Sequence, residues 1–428
     1  MDSILQKIKK FIPAWLFNAA APIYHYLLAL LGAILYGFPS RKLHIITITG
    51  TKGKTSTTEM VNAILEAAGH KTALAGTLRF KIGEKSRPNL FKMTVQGRFF
   101  LQKFLREAVN AGCTHAVLEM TSQAVLQSRH KFIAYDSFIF LNISPEHIES
   151  HGNFENYLKA KLEIAKAVAH SSKQRRILIS NIDDPNGQKF LEFKDTEKHS
   201  YTLKDVSILS ETENGVRFKY KDVEFESVMP GRFSIYNMLA AITYAETQNI
   251  PLEIAANGLK NLSLIRGRVE KIRLPADNPK SAKQNFTVIV DYAHTADSLE
   301  KLYTAFEASP KICVLGNTGG GRDTWKRPEM AKVADRFAKH IILTNEDPYD
   351  EDPRKIIDEM VVGISKTSHE VIMDRREAIN KALKLAQPGD VVLITGKGTD
   401  PYIMEANGKK TKWDDATVVR EELEKVLD

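Results

Sequence analysis

Residues 46–60, ITITGTKGKTSTTEM, place a β-branched run directly before glycines at 50 and 53, a lysine at 54 and a hydroxyl at 55. Glycines so spaced let a backbone curl until its N–H groups converge on an anion, and the helix that follows adds the positive end of its dipole. Lys54 then reaches terminal phosphates and Thr55 ligates Mg²⁺, so the chemistry indicated is nucleotide binding. The spacing is GTKGKT and not the longer GxxxxGK[ST], because Ile48 sits where the first glycine of that pattern would be. A second group with metal chemistry is Glu119, a carboxylate closing the apolar run HAVLEM as a strand-end ligand should. His147 and His151 lie four apart and can share a helical face, with capping or packing the other role open to His151.

These groups need a scaffold, and the pattern supplies one. LHIITITG, HAVLEM, DSFIFLNI, RRILISNI, FTVIVDYA, KICVLGN, KHIILTN and DVVLITG are short apolar runs bounded by turn residues. Helical stretches such as GRFFLQKFLREAVNAG and PEMAKVADRFAKH separate many of them. Strands without strict alternation, joined by helices, predict parallel sheets covered on both faces. From Ser200 to Val228 the pattern changes to short polar strands around an Asn-Gly turn, an antiparallel edge or small subdomain. RGRVEKIRLPADNPKSAKQN is charged and turn-rich, and a fresh strand opens at Phe286. The expected class is α/β: an apolar helical segment over 1–42, a central ATP-binding domain with a mainly parallel sheet over 43–266, and a Rossmann-like domain over 267–428.

The 428 residues carry 43% hydrophobic and 26% charged side chains, which excludes a disordered or fibrous chain. A formal charge of +8 suits anionic substrates and surface solubility equally. No arginine-rich tract or basic–aromatic repeat points to nucleic acid. The two cysteines, Cys113 and Cys313, sit in apolar runs without CxxC spacing, so buried thiols in a reducing compartment, the cytoplasm, are expected. From Phe11 to Ser40 there is no Asp, Glu, Lys or Arg. Pro13, Pro22, Gly32 and Gly37 interrupt this stretch, and Trp15, Tyr24, Tyr26 and Tyr36 suit an interface. It reads as a helical hairpin packed on the protein or lying on a membrane surface, with a spanning helix over 21–38 as the other possibility.

GTKGKTSTT resembles the phosphate loop of the Mur ligases, which build the peptidoglycan stem peptide, and further likenesses follow in order as far as residue 402. They are LEMTSQA, LNISPEHIESHG, YLKAKLE, PGRFSIYNMLAA, GRVE, DYAHTADSLE, GNTGGGRDTWKRP, EDPYDEDPR and GKGTDPY. DYAHT with GGxRDxxKRP and GKG is similar to the MurE-type branch, which adds the third residue of the stem peptide. The resemblance implies a monomeric ATP-dependent amide ligase that forms an acyl phosphate, with ATP and two Mg²⁺ as cofactors and a muramoyl-L-Ala-D-Glu acceptor plus an amino acid as partners. It implies ATP contacts from Gly50, Thr51, Lys52, Gly53, Lys54, Thr55 and Ser56, with Asn237 on the adenine side and Arg268 and Asp291 closing over the nucleotide. Lys54, Glu119, His147 and Lys161 become the catalytic set, and Thr55, Glu119, His147 and Lys161 the metal set, Lys161 as a carbamate. Thr94, Thr121, Gln127 and Arg129 match acceptor contacts, Arg129 suiting a carboxylate. Arg322, Asp347, Tyr349, Gly396 and Asp400 form the expected amino-acid pocket, and His294 suits ATP closure or a structural role.

Three departures bear on specificity. The DNPR tetrapeptide of diaminopimelate-adding enzymes, whose arginine grips the distal carboxylate, is replaced by Glu346-Asp347-Pro348-Tyr349. Tyrosine makes no bidentate ion pair and the acids favour a cation, so L-lysine or a diamine such as ornithine is expected. The family's TTP becomes Thr94-Val95-Gln96 and its SSHA histidine becomes Gln123. The apolar segment over 1–42 stands where the family carries a UDP-holding domain, leaving two acceptors open, one carrying UDP and one carrying lipid. A folylpolyglutamate- or cyanophycin-synthetase relative and a non-catalytic ATP-binding subunit are the competing classes.

Overall fold

The computed structural model describes residues 14–146, 148–262 and 264–427. The β-branched run His44–Thr49 is a strand with five of its six residues buried, the pattern of a strand covered on both faces. It lies near the middle of an eight-stranded sheet, in the order Lys85–Pro88, Arg79–Ile82, Thr72–Ala75, His115–Glu119, His44–Thr49, Ser137–Phe140, Ile177–Asn181 and Glu197–Tyr201. All pairings are parallel except the two that attach Arg79–Ile82 and Lys85–Pro88. The chain leaves His44–Thr49 toward one side of the sheet and later returns to the other, which opens a crevice at the strand's carboxyl end. Helices Lys54–Ala67, Arg98–Asn110 and Phe154–Ala169 bring buried apolar faces to this unit.

The second sheet orders Glu270–Ile272, Thr287–Asp291, Val391–Thr395, Lys311–Leu315, His340–Leu343 and His369–Val371. Only the pairing to Glu270–Ile272 is antiparallel. Cores rich in Val, Ile and Leu cover its two faces, as parallel strands joined by helices require.

Packing divides the chain into one unit of residues 1–145, 150–203 and 237–258 and another of 146–149, 204–236 and 259–428. The boundaries differ from the partition by sequence, most widely after Ser200. The polar stretch after Ser200 forms strands Val206–Thr212, Gly215–Tyr220 and Val223–Ser227, an antiparallel sheet that packs with the second unit. The turn-rich stretch after Gly267 contains a paired strand, because Glu270–Ile272 alternates buried, exposed, buried against the sheet edge.

At the amino end, Ala14–Leu35 is one helix that runs through Pro22 and not a hairpin. No helix among the described residues is long and apolar enough to cross a membrane, so the spanning alternative finds no support there. Ala29, Gly32 and Ala33 form its inner face, and Gly32 comes close to the Arg98 carbonyl and the Phe99 ring. Arg106 clamps its carboxyl end by donating to the Tyr36 carbonyl at 2.8 Å. Both cysteines are free thiols and buried.

Candidate functional site

In the first unit, parallel register does the positioning. Ile48 lies opposite Glu119 and Thr49 opposite Phe140, so the strand before the loop is flanked by the carboxyl ends of its neighbours. Gly53 caps the helix Lys54–Ala67 at φ 83°, a conformation costing a β-carbon about 1–2 kcal/mol. A β-carbon there would also stand 2.3 Å from Asn237 Oδ1, so this glycine admits the proposed adenine-side asparagine against the loop. Gly53→Ala is therefore expected to raise the KM for ATP about tenfold, roughly 1.4 kcal/mol, with a fall of a few degrees in melting temperature from the strained turn. A KM unchanged within twofold would remove Asn237 and the loop turn from nucleotide binding.

The loop is tied to the segment behind it. Asn142 Oδ1 accepts from the Lys52 N–H at 2.9 Å, and its Nδ2 donates to the Lys52 carbonyl at 3.1 Å. The Ser144 N–H donates to the Thr51 hydroxyl at 3.0 Å, and that hydroxyl lies 3.1 Å from Tyr157 Oη. This explains physically why LNIS and YLKAK accompany the loop. Lys54 Nζ donates to the carbonyls of Gly50 at 3.0 Å and Thr51 at 2.9 Å.

The Thr55 hydroxyl donates to Glu119 at 3.1 Å, and Glu119 also accepts from the Thr77 N–H at 2.8 Å and its hydroxyl at 3.0 Å. Two hard oxygen donors thus meet at the helix N-terminus, a donor set that fits Mg²⁺ completed by phosphate and water. Among the described residues no three acidic, His or Cys side chains gather to hold a metal alone. Lys161 is only 1% exposed, because it shares with Tyr157, Ile164 and Val168 the buried stripe of helix Phe154–Ala169. The side chain therefore lies in the interior and not on the helix surface. Its Nζ donates to the Gly50 carbonyl at 2.8 Å and lies over the Tyr157 ring. As an ammonium it is no metal ligand, whereas a carbamate would be. His147 lies outside the described residues. His151 is buried, with Nε2 3.0 Å from the Ser122 hydroxyl, the packing role left open for it.

The proposed acceptor residues fall in two places. Thr94 shares a 2.8 Å hydrogen bond with the Thr77 hydroxyl and so adjoins Glu119. Thr121 caps the helix Ser122–Leu126, accepting from the Ala124 N–H. Arg129 donates to Gln127 Oε1 and the Val95 carbonyl, and burial beside Arg98 pushes its pKa down to about 10.

In the second unit, Arg268 lies over the Tyr292 ring at 4.7 Å. Asp291 accepts backbone N–H groups from Val269 and Ala293, each at 2.7 Å. His294 Nδ1 is 2.7 Å from the Tyr292 carbonyl, within the tight strand-to-helix connection. Beside them, fully buried Lys397 gathers the pocket residues: both Asp347 oxygens at 2.9 Å, Asp400 at 3.2 Å and the Tyr402 carbonyl at 2.6 Å. Part of the acidity attributed to the tetrapeptide is thereby neutralised from within the protein. Glu346 keeps one oxygen on the Thr318 hydroxyl at 2.7 Å, while its other oxygen is buried without a protein partner. Burial and the neighbouring Asp347 push its pKa up. Gly396, at φ 104°, is the only residue type that fits, since a β-carbon would stand 2.3 Å from Glu346 Oε2. Tyr349 adopts φ 53° with its ring against Gly320, and burial with the neighbouring Asp347 charge pushes its phenol up, Arg322 acting against them. Asn142, Tyr157 and Lys397 lie within LNIS, YLKAK and GKG, but motif reading gave them no role of their own, and Thr77 lies in none of the likenesses.

A phosphate loop on a central parallel strand, with a neighbouring strand-end carboxylate, defines a nucleotide-using P-loop enzyme. Residues 48–245 match the Mur ligase middle domain, and residues 278–398 match the Mur ligase glutamate ligase domain. A UDP-N-acetylmuramoyl-L-alanyl-D-glutamate–2,6-diaminopimelate ligase of Syntrophomonas wolfei is 35% identical over 92% of this chain and 81% of its own. A UDP-N-acetylmuramyl-tripeptide synthetase of Roseiflexus sp. is 34% identical over the same shares. A solved diaminopimelate ligase superposes with a TM-score of 0.58 at 28% identity, over 90% of this chain and 78% of that one. A folylpolyglutamate synthase of Mycobacterium tuberculosis, TM-score 0.67 at 15% identity over 89% and 94%, shares the fold. The chain belongs to the Mur ligase family. It is an ATP-dependent, ADP-forming acid–amino-acid ligase of peptidoglycan synthesis, in a family that uses ATP and Mg²⁺.

Proposed function

We propose that this ligase adds L-lysine, or a similar diamine such as ornithine, to a muramoyl-L-Ala-D-Glu acceptor in the cytoplasm, by way of an acyl phosphate. The observation that carries the amino-acid preference is the charge around the tetrapeptide. Asp347 and Asp400 set two carboxylates against the Lys397 ammonium, buried Glu346 adds a further acid beside Asp347, and Tyr349 adds no cation for a distal carboxylate. Relatives are named for diaminopimelate, which supports the acceptor and the reaction and leaves the pocket chemistry to this chain's residues.

In this reading Lys54 holds the transferring phosphate, and Thr55, Glu119 and His147, with carbamylated Lys161, hold two Mg²⁺ ions. Bound there, Mg²⁺ supplies neutralisation of phosphate charge. Gln127, Arg129, Thr94 and Thr121 orient the acceptor carboxylate, whose oxygen attacks the terminal phosphorus and releases ADP. Asn237, Arg268 and Asp291 hold the nucleotide. The neutral amine of the amino acid, placed by Arg322, Asp347, Tyr349, Gly396 and Asp400, attacks the acyl carbon, the nitrogen gives up a proton to solvent, and phosphate leaves with its electron pair. Amino-acid-dependent phosphate release should favour lysine or ornithine over diaminopimelate, and Tyr349→Arg should move the preference toward diaminopimelate. A wild-type preference for diaminopimelate would sink the assignment.

One observation favours a second reading, in which the acceptor is lipid-linked. His25 of the amino-terminal helix bonds Arg98, whose Nε donates to the Gln127 carbonyl at 3.0 Å, so an outward-facing apolar helix braces the segment bearing Gln127 and Arg129. Comparing turnover of UDP-linked and lipid-linked acceptors decides between them.

A further inference from the structure

We propose that the outer face of helix Ala14–Leu35 seats the enzyme on an anionic lipid surface. The helix packs in the reverse of the usual sense. Its small residues Ala29, Gly32 and Ala33 face the protein, whereas Ile23, Tyr24, Leu27, Leu31, Ile34 and Leu35 face outward. Ile23, Leu27, Leu31 and Leu35 recur every fourth residue, which places them along one stripe. Ile23 is 66% exposed and Leu35 64%, so this is a continuous apolar strip and not scattered surface residues.

Charge identifies the occupant. Between Asp2 and Glu59 the sequence has no acidic residue, while Lys7, Lys9 and Lys10 precede the helix and Arg41 and Lys42 follow it. Arg41 and Lys42 are both exposed. An apolar strip followed by exposed cations, in a stretch of sequence rich in lysine and without acids, matches acyl chains beneath negative headgroups. Tyr24 and Tyr26, each partly exposed, suit the headgroup level. A second copy fits poorly, since no acidic residue occurs between Asp2 and Glu59 to meet the cations that a partner helix would bring. The inference holds whichever amino acid or acceptor the ligase uses.

The test is co-sedimentation of the full chain with vesicles of phosphatidylcholine alone or containing phosphatidylglycerol, at low and high salt. Binding is expected to the phosphatidylglycerol vesicles and to weaken with salt. Arg41→Glu with Lys42→Glu should lower partitioning at least about thirtyfold, from the loss of two surface cations. Leu27→Glu with Leu31→Glu should abolish it while the melting temperature stays at the wild-type value. Equal binding to neutral vesicles overturns the proposal. So does no binding, whether the chain then self-associates through this face, pointing to a second copy, or stays monomeric, pointing to cover by the preceding segment. Phosphate release in vesicle-free buffer reads the ligase separately. If that fails in the wild type, the functional reading falls and the vesicle result stands alone.

Discussion

Lys54→Ala should lower amino-acid-dependent phosphate release by about 10³-fold or more, the scale on which loss of one positioned charge acts in phosphoryl transfer. The side chain begins at the first residue of the loop helix, and its Nζ rests on the Gly50 and Thr51 carbonyls, over the cradle itself. Alanine keeps the helix and removes the ammonium with the stem that carries it. The melting temperature should therefore hold while turnover collapses. Lys54→Arg should rescue little, because a planar fork does not replace a compact ammonium in a glycine-lined loop. Wild-type turnover in Lys54→Ala would overturn the catalytic reading of the whole loop.

The second large effect is on stability. Lys397→Met leaves the Asp347 carboxylate, 4% exposed, without its cation and strips Asp400 and the Tyr402 carbonyl of a donor. Breaking a buried pair from one side costs about 3–5 kcal/mol. For a unit of this size that corresponds to a fall of roughly 6–20 °C in melting temperature. Calorimetry should show the loss, and Lys397→Met combined with Asp347→Asn should recover part of it, since the uncompensated charge is then gone. A shift of no more than about 2 °C in the single variant would show that water reaches the pair.

The strands were legible because buried parallel strands are continuous apolar runs, and each run read as a strand from LHIITITG to DVVLITG is one. The loop was legible because its glycines, lysine and threonine are adjacent in sequence. What escaped depends on distant partners. Lys397 meets Asp347 across 50 residues, so sequence shows an acidic tetrapeptide and not its neutralisation. Glu270–Ile272 is too short and too charged to announce itself, and only its neighbour Thr287–Asp291 makes it a strand. The inversion of the amino-terminal helix was hidden because a stretch without charges has no polar face to orient it.

The Gly50 carbonyl accepts from Lys54 at 3.0 Å and, while Lys161 is unmodified, from its ammonium at 2.8 Å, a bond that carbamylation would release. The loop thus keeps its cations engaged on its own backbone, and an arriving anion enters by exchange and not into an empty seat. A weakly basic or singly charged ion gains little by displacing a carbonyl, whereas a triphosphate gains much. The loop is therefore expected to favour a triphosphate over chloride and small carboxylates, and weak inhibition of turnover by those ions would be the measured sign of it.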